Sequence, residues 1–379
     1  LPAWAFAIAV AYLPGLLSGA YMPRIFLLAL GLAAVPRLDI RAAGLAPLAC
    51  LVGIIGWSVV SLAWSPEFYG AMTPIALVVL FALVFVASAS LDPLDRDRIM
   101  FAFCCGLCVS GAAMLVEESG WGIARSGLFF NREIMAETAV FGLLWSIGRR
   151  QWPFVVILSV MLILCEERLA LAIACAGALY LLVPDRRILF VGLALALVAA
   201  VAAVLELKIG SSFHRLTLWG AAILSLDPVG RGVGWWFQAH PFGGEEYAHS
   251  DLLQSGVEIG FAGLLWPLFF ALVWLRGSGD KVWRACFLAG VAEFALSFPT
   301  HLPAQVFAFA LAAGGVACRV RLPHGVGFPR RTPDAERSRW QWSHGGRISR
   351  GSRSSAGVVS VRSAFAQYAA VGHSSGGAI

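Results

Sequence analysis

The sequence predicts an all-helical, polytopic membrane protein with about twelve transmembrane helices and one long segment outside the bilayer, and three observations carry that expectation. Of its 379 residues 59% are apolar and only 13% charged, against roughly 45–50% and 25% in a soluble globular domain. That balance excludes an ordinary water-soluble enzyme. The apolar residues also arrive in runs, such as 45–63, 75–89 and 188–205, at or near the ~20 residues that cross a bilayer. Finally, Pro, Gly and charged residues interrupt the chain at loop-like intervals.

Taken in order, these breaks set apolar segments near 3–20, 22–36, 43–64, 72–90, 98–116, 130–148, 152–164, 168–183, 187–206, 255–275, 282–298 and 303–319. The first lacks a charged leader region, so it reads as a span and not as a cleaved signal peptide. The segments 22–36 and 152–164 are short for a full crossing. Alternate loops hold Arg37 and Arg41, Arg96 and Arg98, Arg149 and Arg150, Arg186 and Arg187, and Arg276, Lys281 and Arg284. The remaining loops hold Arg24, Arg125 and little else, apart from the long segment 207–254. Basic loops stay in the cytoplasm, so both termini are expected inside and 207–254 outside. No internal repeat is visible in the sequence, which argues against an inverted-repeat transporter.

The net charge of +6 is uneven. From Arg319 onward ten Arg face only Asp334 and Glu336, a surplus of eight, which leaves 18 basic and 20 acidic residues before it. Residues 1–318 are therefore read as the membrane domain. Residues 319–379, rich in Gly, Ser and Arg, are read as a disordered basic tail attracted at most to anionic lipid or nucleic acid, with no nucleic-acid partner expected. All eight Cys fall within or beside apolar segments, where they pack as small hydrophobes and outline no disulfide framework. Cys105 and Cys108 form a CxxC without the second ligand pair that zinc needs. Glu137 and Glu293 sit inside apolar segments, where ionisable groups face the protein interior; either could pair with an Arg or support a site.

The long outward segment and its flanks hold the candidate chemistry. It contains Lys208, His214, Arg215, Arg231, His240, Glu245, Glu246, His249 and Asp251 among Trp219, Trp235, Trp236, Phe237 and Tyr247. These rings suit an interfacial belt or a stacking surface for sugars. Three features can converge: CEERLALA (165–172), with Arg168 at the outer mouth of a span; HRLTLW (214–219), with Arg215 and Trp219 four apart on a short helix; and AHSDLLQSGVEIGFAGLL (248–265), with His249 just before a helix that enters the membrane. Guanidinium groups grip phosphate oxygens through paired hydrogen bonds and can stabilise a departing pyrophosphate without a metal. A neutral imidazole can take the proton of an attacking hydroxyl. Two competing motifs carry less. Asp95-Arg96-Asp97 is a DxD, but on a cytoplasmic loop with interleaved Arg it reads as a solvated charge cluster. Gly230-x-Gly232-x-Gly234 lacks the context of a dinucleotide loop and reads as a flexible turn.

At these residues the sequence resembles the bacterial O-antigen ligase and polymerase superfamily. The His249 block matches the family's pattern of a His, a polar residue, Asp251, apolar positions and then Glu258, Gly260, Gly263 and Leu264. Arg215 with Trp219, Asp227-Pro228 and the Gly230, Gly232, Gly234 run resembles the stretch preceding that His, and WSVVSLAWSPEFYGAM (57–72) and GLFFNREIMAE (127–137) are weaker echoes. The resemblance implies an inverting glycosyltransferase of the cytoplasmic (inner) membrane, working on the periplasmic side without cofactor or metal. Its donor would be a glycan on undecaprenyl pyrophosphate, and its acceptor lipid A core in a ligase or a second lipid-linked glycan in a polymerase. Carried over, Arg168 and Arg215 would hold the pyrophosphate and His249 would activate the acceptor hydroxyl, with Asp251, Glu258 and Trp219 in support. The position before Arg168 is usually small and hydroxylic in that family, whereas here Glu166 and Glu167 precede it and could partly offset its charge; Ser250 stands where Asn is common. A transporter of lipid-linked sugars would need the Arg residues but no base at His249. A membrane acyltransferase using His249 lacks a second motif.

Overall fold

The computed structural model describes residues 39–66, 68–116, 131–183, 209–239, 248–277, 280–297 and 303–318. The expected segments near 3–20, 22–36 and 187–206, and the tail, lie outside the described residues. The chain divides into two units, Leu1–Val320 and Arg321–Ile379, and all that follows concerns the first.

Every regular element among the described residues is helical. After a single turn at Ile40–Ala43 come α1 (Leu45–Ser61), α2 (Phe68–Ser90), α3 (Pro93–Val116), α4 (Arg132–Arg149), α5 (Trp152–Cys165), α6 (Arg168–Leu182), α7 (Ile209–Leu224), α8 (Trp235–Ala239), α9 (Asp251–Ile259), a 3₁₀ turn (Gly260–Leu264), α10 (Leu265–Arg276), α11 (Lys281–Leu296) and α12 (Pro303–Ala317). Three stretches are long and apolar enough to cross a membrane: Gly70–Ser90, Pro93–Leu115 and Asp251–Arg276. Leu45–Ser61, Trp152–Cys165, Arg168–Leu182 and Pro303–Ala317 are shorter apolar helices. In lipid the backbone must satisfy its own hydrogen bonds, so long apolar stretches have no alternative to helix.

The arrangement is that of a protein in lipid. Val52, Val156, Ile163 and Leu275 are more than three-fifths exposed, large apolar side chains that would cost solubility in water and cost nothing against acyl chains. Inside, α12 is buried along its whole length and packs mainly on α2, while α4, buried from Met135 to Ser146, lies against α5, α6 and α11. Close approach of α2 and α12 relies on Gly314, where a Cβ would come within 2.6 Å of the Phe85 carbonyl oxygen. The Ser88 hydroxyl donates to the Leu311 carbonyl across the same contact at 2.6 Å. Small residues and interhelical hydrogen bonds of this kind join helices in membranes. Edge-to-face rings of Phe81, Trp266, Phe270, Phe294 and Phe309 fill the middle, adding roughly 0.5–1.5 kcal/mol per pair to their area burial.

The helix ends sort into two sets. At one end the Arg276 guanidinium lies against Gly44, Asp39 N–H donates to Ser90 Oγ, and Lys281 Nζ donates to the Leu181 carbonyl. Arg149 bridges Asp97 at 3.1 Å and Asp280 at 2.5 Å there. This end gathers the basic loops, so α1 to α6 run alternately away from it and back. Burial opposes the charge of Arg149, yet the Asp97 and Asp280 carboxylates outweigh it and hold the guanidinium above the ordinary arginine range.

The DxD reading needs correction here. Asp95 and Arg98 do form an exposed pair, but the segment is the first turn of α3 and not a loop. Arg96 is buried and donates to the carbonyls of Ser88 and Leu91, among the last carbonyls of α2, which a helix leaves short of intrahelical donors. Asp97 accepts from Trp145 Nε1 at 2.9 Å and Arg149 Nε at 3.1 Å. Asp97→Ala is therefore expected to lower stability by roughly 1.5–3 kcal/mol, the range for hydrogen bonds to a charged group. Asp95→Ala should stay within about 0.5 kcal/mol. Denaturant unfolding of the two purified variants checks the contrast.

Candidate active site

The candidate residues lie at the end of the bundle opposite the basic loops. There the close of α1 grips the Gly230–Gly234 loop. Trp57 Nε1–H donates to the Val229 carbonyl at 3.2 Å, Trp64 Nε1–H to the Gly230 carbonyl at 3.0 Å and Ser65 Oγ–H to the Val233 carbonyl at 2.7 Å. From the other side, Arg231 N–H donates to Val257 O and Gly232 N–H to Glu258 O, each at 2.9 Å, and Phe261 N–H to Pro228 O at 3.0 Å. The Asp227 carboxylate receives the N–H groups of Val229 and Gly230, the local turn chemistry of Asp before Pro.

Two glycines make this close approach possible. Gly230 has φ +86° and Gly260 φ +60°, and a Cβ at either would stand 2.4 Å from Glu258 O or 2.3 Å from Pro228 O. The run expected as a flexible turn is thus bonded on both flanks, a fitted wedge between α1 and the end of α9. Arg231 completes it, with its guanidinium 4.9 Å from the Trp235 ring centre and its Nε–H donating to Ser225 O.

His249 is half-buried and adopts φ +51°, the left-handed region. Such a conformation costs a residue with a Cβ about 1–3 kcal/mol and persists only where its surroundings impose it. They do so at four successive positions. Ala248 N–H donates to Gln254 Oε1 at 3.2 Å, and the His249 carbonyl accepts Trp219 Nε1–H at 3.3 Å. Ser250 caps α9 by accepting Leu253 N–H, and Asp251 N–H donates to Ser297 O at 2.9 Å. The helix that carries Trp219 is four turns long, so Arg215 is placed one turn before Trp219 on α7; the Arg215 side chain lies outside the described part.

Behind His249, α9 presents Asp251, Gln254 and Glu258 at i, i+3 and i+7, all buried. Gln254 Nε2–H donates to Glu258 Oε1 at 3.2 Å, and the same oxygen accepts Trp236 N–H at 3.3 Å. Glu258 therefore ties α8 to α9 and supports the face on which His249 stands. Glu258→Ala should remove an acceptor from two buried donors and cost about 1–3 kcal/mol, whereas Glu258→Gln keeps an acceptor oxygen and should cost less. Matching unfolding midpoints for Glu258→Ala and wild type would contradict this role.

Arg168 stands apart from that network. It is the exposed first residue of α6, at the same end of the bundle but on helices that pack through α4 and α11. The two acids before it have their own roles: Glu166 pairs with Arg132 at 3.9 Å, and Glu167 caps α6 by accepting Leu169 N–H. Arg132, which opens α4, thus adds a second guanidinium to that mouth and was not singled out from the sequence. A link runs between the two regions through Glu137, whose carboxylate accepts Ser297 Oγ–H at 2.5 Å, while Ser297 O receives Asp251 N–H. Gln254 and Ser297 also went unrecognised. The signal for Gln254 was present, since polar residues at 251, 254 and 258 share one helical face.

Compared with known proteins, the chain matches no family model and no curated protein.

Proposed function

We propose that the protein transfers a glycan from undecaprenyl pyrophosphate to an acceptor hydroxyl, as a polytopic inner-membrane enzyme of about twelve spans whose site faces the periplasm. The acceptor in this reading is a sugar of lipid A core, which makes the protein an O-antigen ligase. One observation supports it above the others: sequence blocks that resemble the O-antigen ligase and polymerase superfamily, at 215–219, 227–234 and 249–264, with the weaker echo at 57–72, are joined by hydrogen bonds at one end of the bundle.

In the proposed reaction His249 accepts the proton of the acceptor hydroxyl, whose oxygen attacks the anomeric carbon of the donor sugar. The bond from that carbon to the pyrophosphate oxygen breaks, and the leaving group departs with the electron pair and two phosphates' charge. Arg215 and Arg168 stabilise that charge by paired hydrogen bonds. Attack opposite the leaving group inverts the anomeric centre. The imposed backbone at His249 serves this chemistry, because a base must stand within hydrogen-bond reach of the proton it takes.

Two measurements test the setting. Cysteine labelling of intact cells should reach Glu245→Cys and leave Arg331→Cys unlabelled, since the basic loops belong to the cytoplasm; the reverse pattern removes a periplasmic site. Transfer by purified enzyme should persist in excess chelator, because the proposed cationic groups are guanidinium. A strict requirement for added magnesium or manganese would overturn the mechanism.

A further inference from the structure

The interior of the bundle holds a second polar cluster that the transfer chemistry does not use. Glu137 on α4, Glu293 on α11, Ser297 just after it and Gln305 on α12 are all at most 3% exposed. Both oxygens of Glu137 are supplied with donors: Oε1 by the Ser297 hydroxyl at 2.5 Å and Oε2 by Gln305 Nε2–H at 2.7 Å. That bond fixes the Gln305 amide, since turning it over would set two oxygens against each other. Its own oxygen, Oε1, is buried without a hydrogen-bond donor, and so are both carboxyl oxygens of Glu293. Glu293 stands one turn before Ser297 on α11, and α11 packs against both α4 and α12.

Three buried oxygen acceptors without donors, beside a carboxylate, describe a local deficit of positive charge. Burying such groups uncompensated is unfavourable. We propose that Glu137, Glu293 and Gln305 form a binding site for a small hard monovalent cation, a proton or a sodium ion. The class follows from the donor set. Carboxyl and amide oxygens alone select hard ions, and calcium would demand six to eight oxygens where the cluster offers three without donors. Gln305 is the observation independent of the acids, because its amide head touches Glu137 through Nε2 and still carries a buried oxygen without a donor.

Purified full-length protein in detergent, with sodium chloride or choline chloride at matched ionic strength, tests this without any glycan substrate. The readouts are the unfolding midpoint and the infrared signature of protonated carboxyl groups at neutral pH. A sodium site predicts a saturable rise in midpoint with sodium and none with choline. A proton site predicts a midpoint indifferent to sodium and a buried protonated carboxyl signal. In either case Glu293→Gln, which brings an NH₂ donor to acceptors that lack one, should fold normally and abolish the response. Wild-type protein that shows neither a sodium response nor a protonated buried carboxyl overturns the proposal, whether or not the variant folds. So does a folded Glu293→Gln variant that keeps the full response.

Discussion

His249→Ala is expected to lose roughly 10²–10⁴-fold in transfer, the usual contribution of a positioned acid or base, while the donor still binds. The variant should also fold. Its backbone partners, the Trp219 indole at the 249 carbonyl and Ser297 at the 251 amide, act through main-chain atoms that Ala retains. The left-handed φ of +51° remains at position 249, so His249→Gly should match Ala in transfer and exceed it slightly in stability. Arg215→Lys keeps a positive charge but loses the planar fork, and so should weaken the donor's stabilisation. Transfer and donor binding measured on the same variants separate these roles. Wild-type turnover in His249→Ala would remove the general base, and total loss of donor binding would place the residue with the arginines as a phosphate ligand.

Gly260→Ala is expected to be the most damaging small substitution in the described structure. The added Cβ would stand 2.3 Å from Pro228 O and 2.7 Å from Gly230 N, both backbone atoms, on a residue with φ +60°. Left-handed strain alone costs about 1–3 kcal/mol, and relieving the clash must push the Gly230 loop off α9, breaking bonds from Phe261 and Gly232. Gly56→Ala is the control, because nothing lies within 4 Å of the Cβ it would add on α1. It should be neutral or stabilising by up to about 1 kcal/mol, as for Ala over Gly inside a helix. Unfolding midpoints that fall by the same amount in both variants would contradict the fitted wedge.

The contrast between those two glycines also shows what a sequence can disclose about this fold. Helix positions were readable at 43–64, 72–90, 152–164, 168–183 and 303–319 because lipid leaves an apolar run one backbone solution. The start of α9 was expected just after His249, and the structure adds its cap, Ser250 Oγ accepting Leu253 N–H. Partners were a different matter. That Trp57 and Trp64 donate to carbonyls of a loop more than 160 residues away follows from tertiary packing, and a Trp near a span end carries the same local pattern in an interfacial belt. Arg96 misled for a related reason: a basic residue between two acids looks solvated until the carbonyls at the end of α2 claim it. Glu137 and Glu293 were visible as ionisable groups in apolar segments, but only the packing of α4 against α11 and α12 shows that they belong together.

The proposed transfer is tested most directly by reconstituting the purified protein with undecaprenyl-pyrophosphate glycan and lipid A core and weighing the product. The expected product is lipid A core heavier by the donor's glycan, formed by wild type and suppressed in His249→Ala. Transfer only onto a second lipid-linked glycan would make the protein a polymerase, and movement of the donor across the bilayer with no new glycosidic bond in any product would contradict glycan transfer altogether.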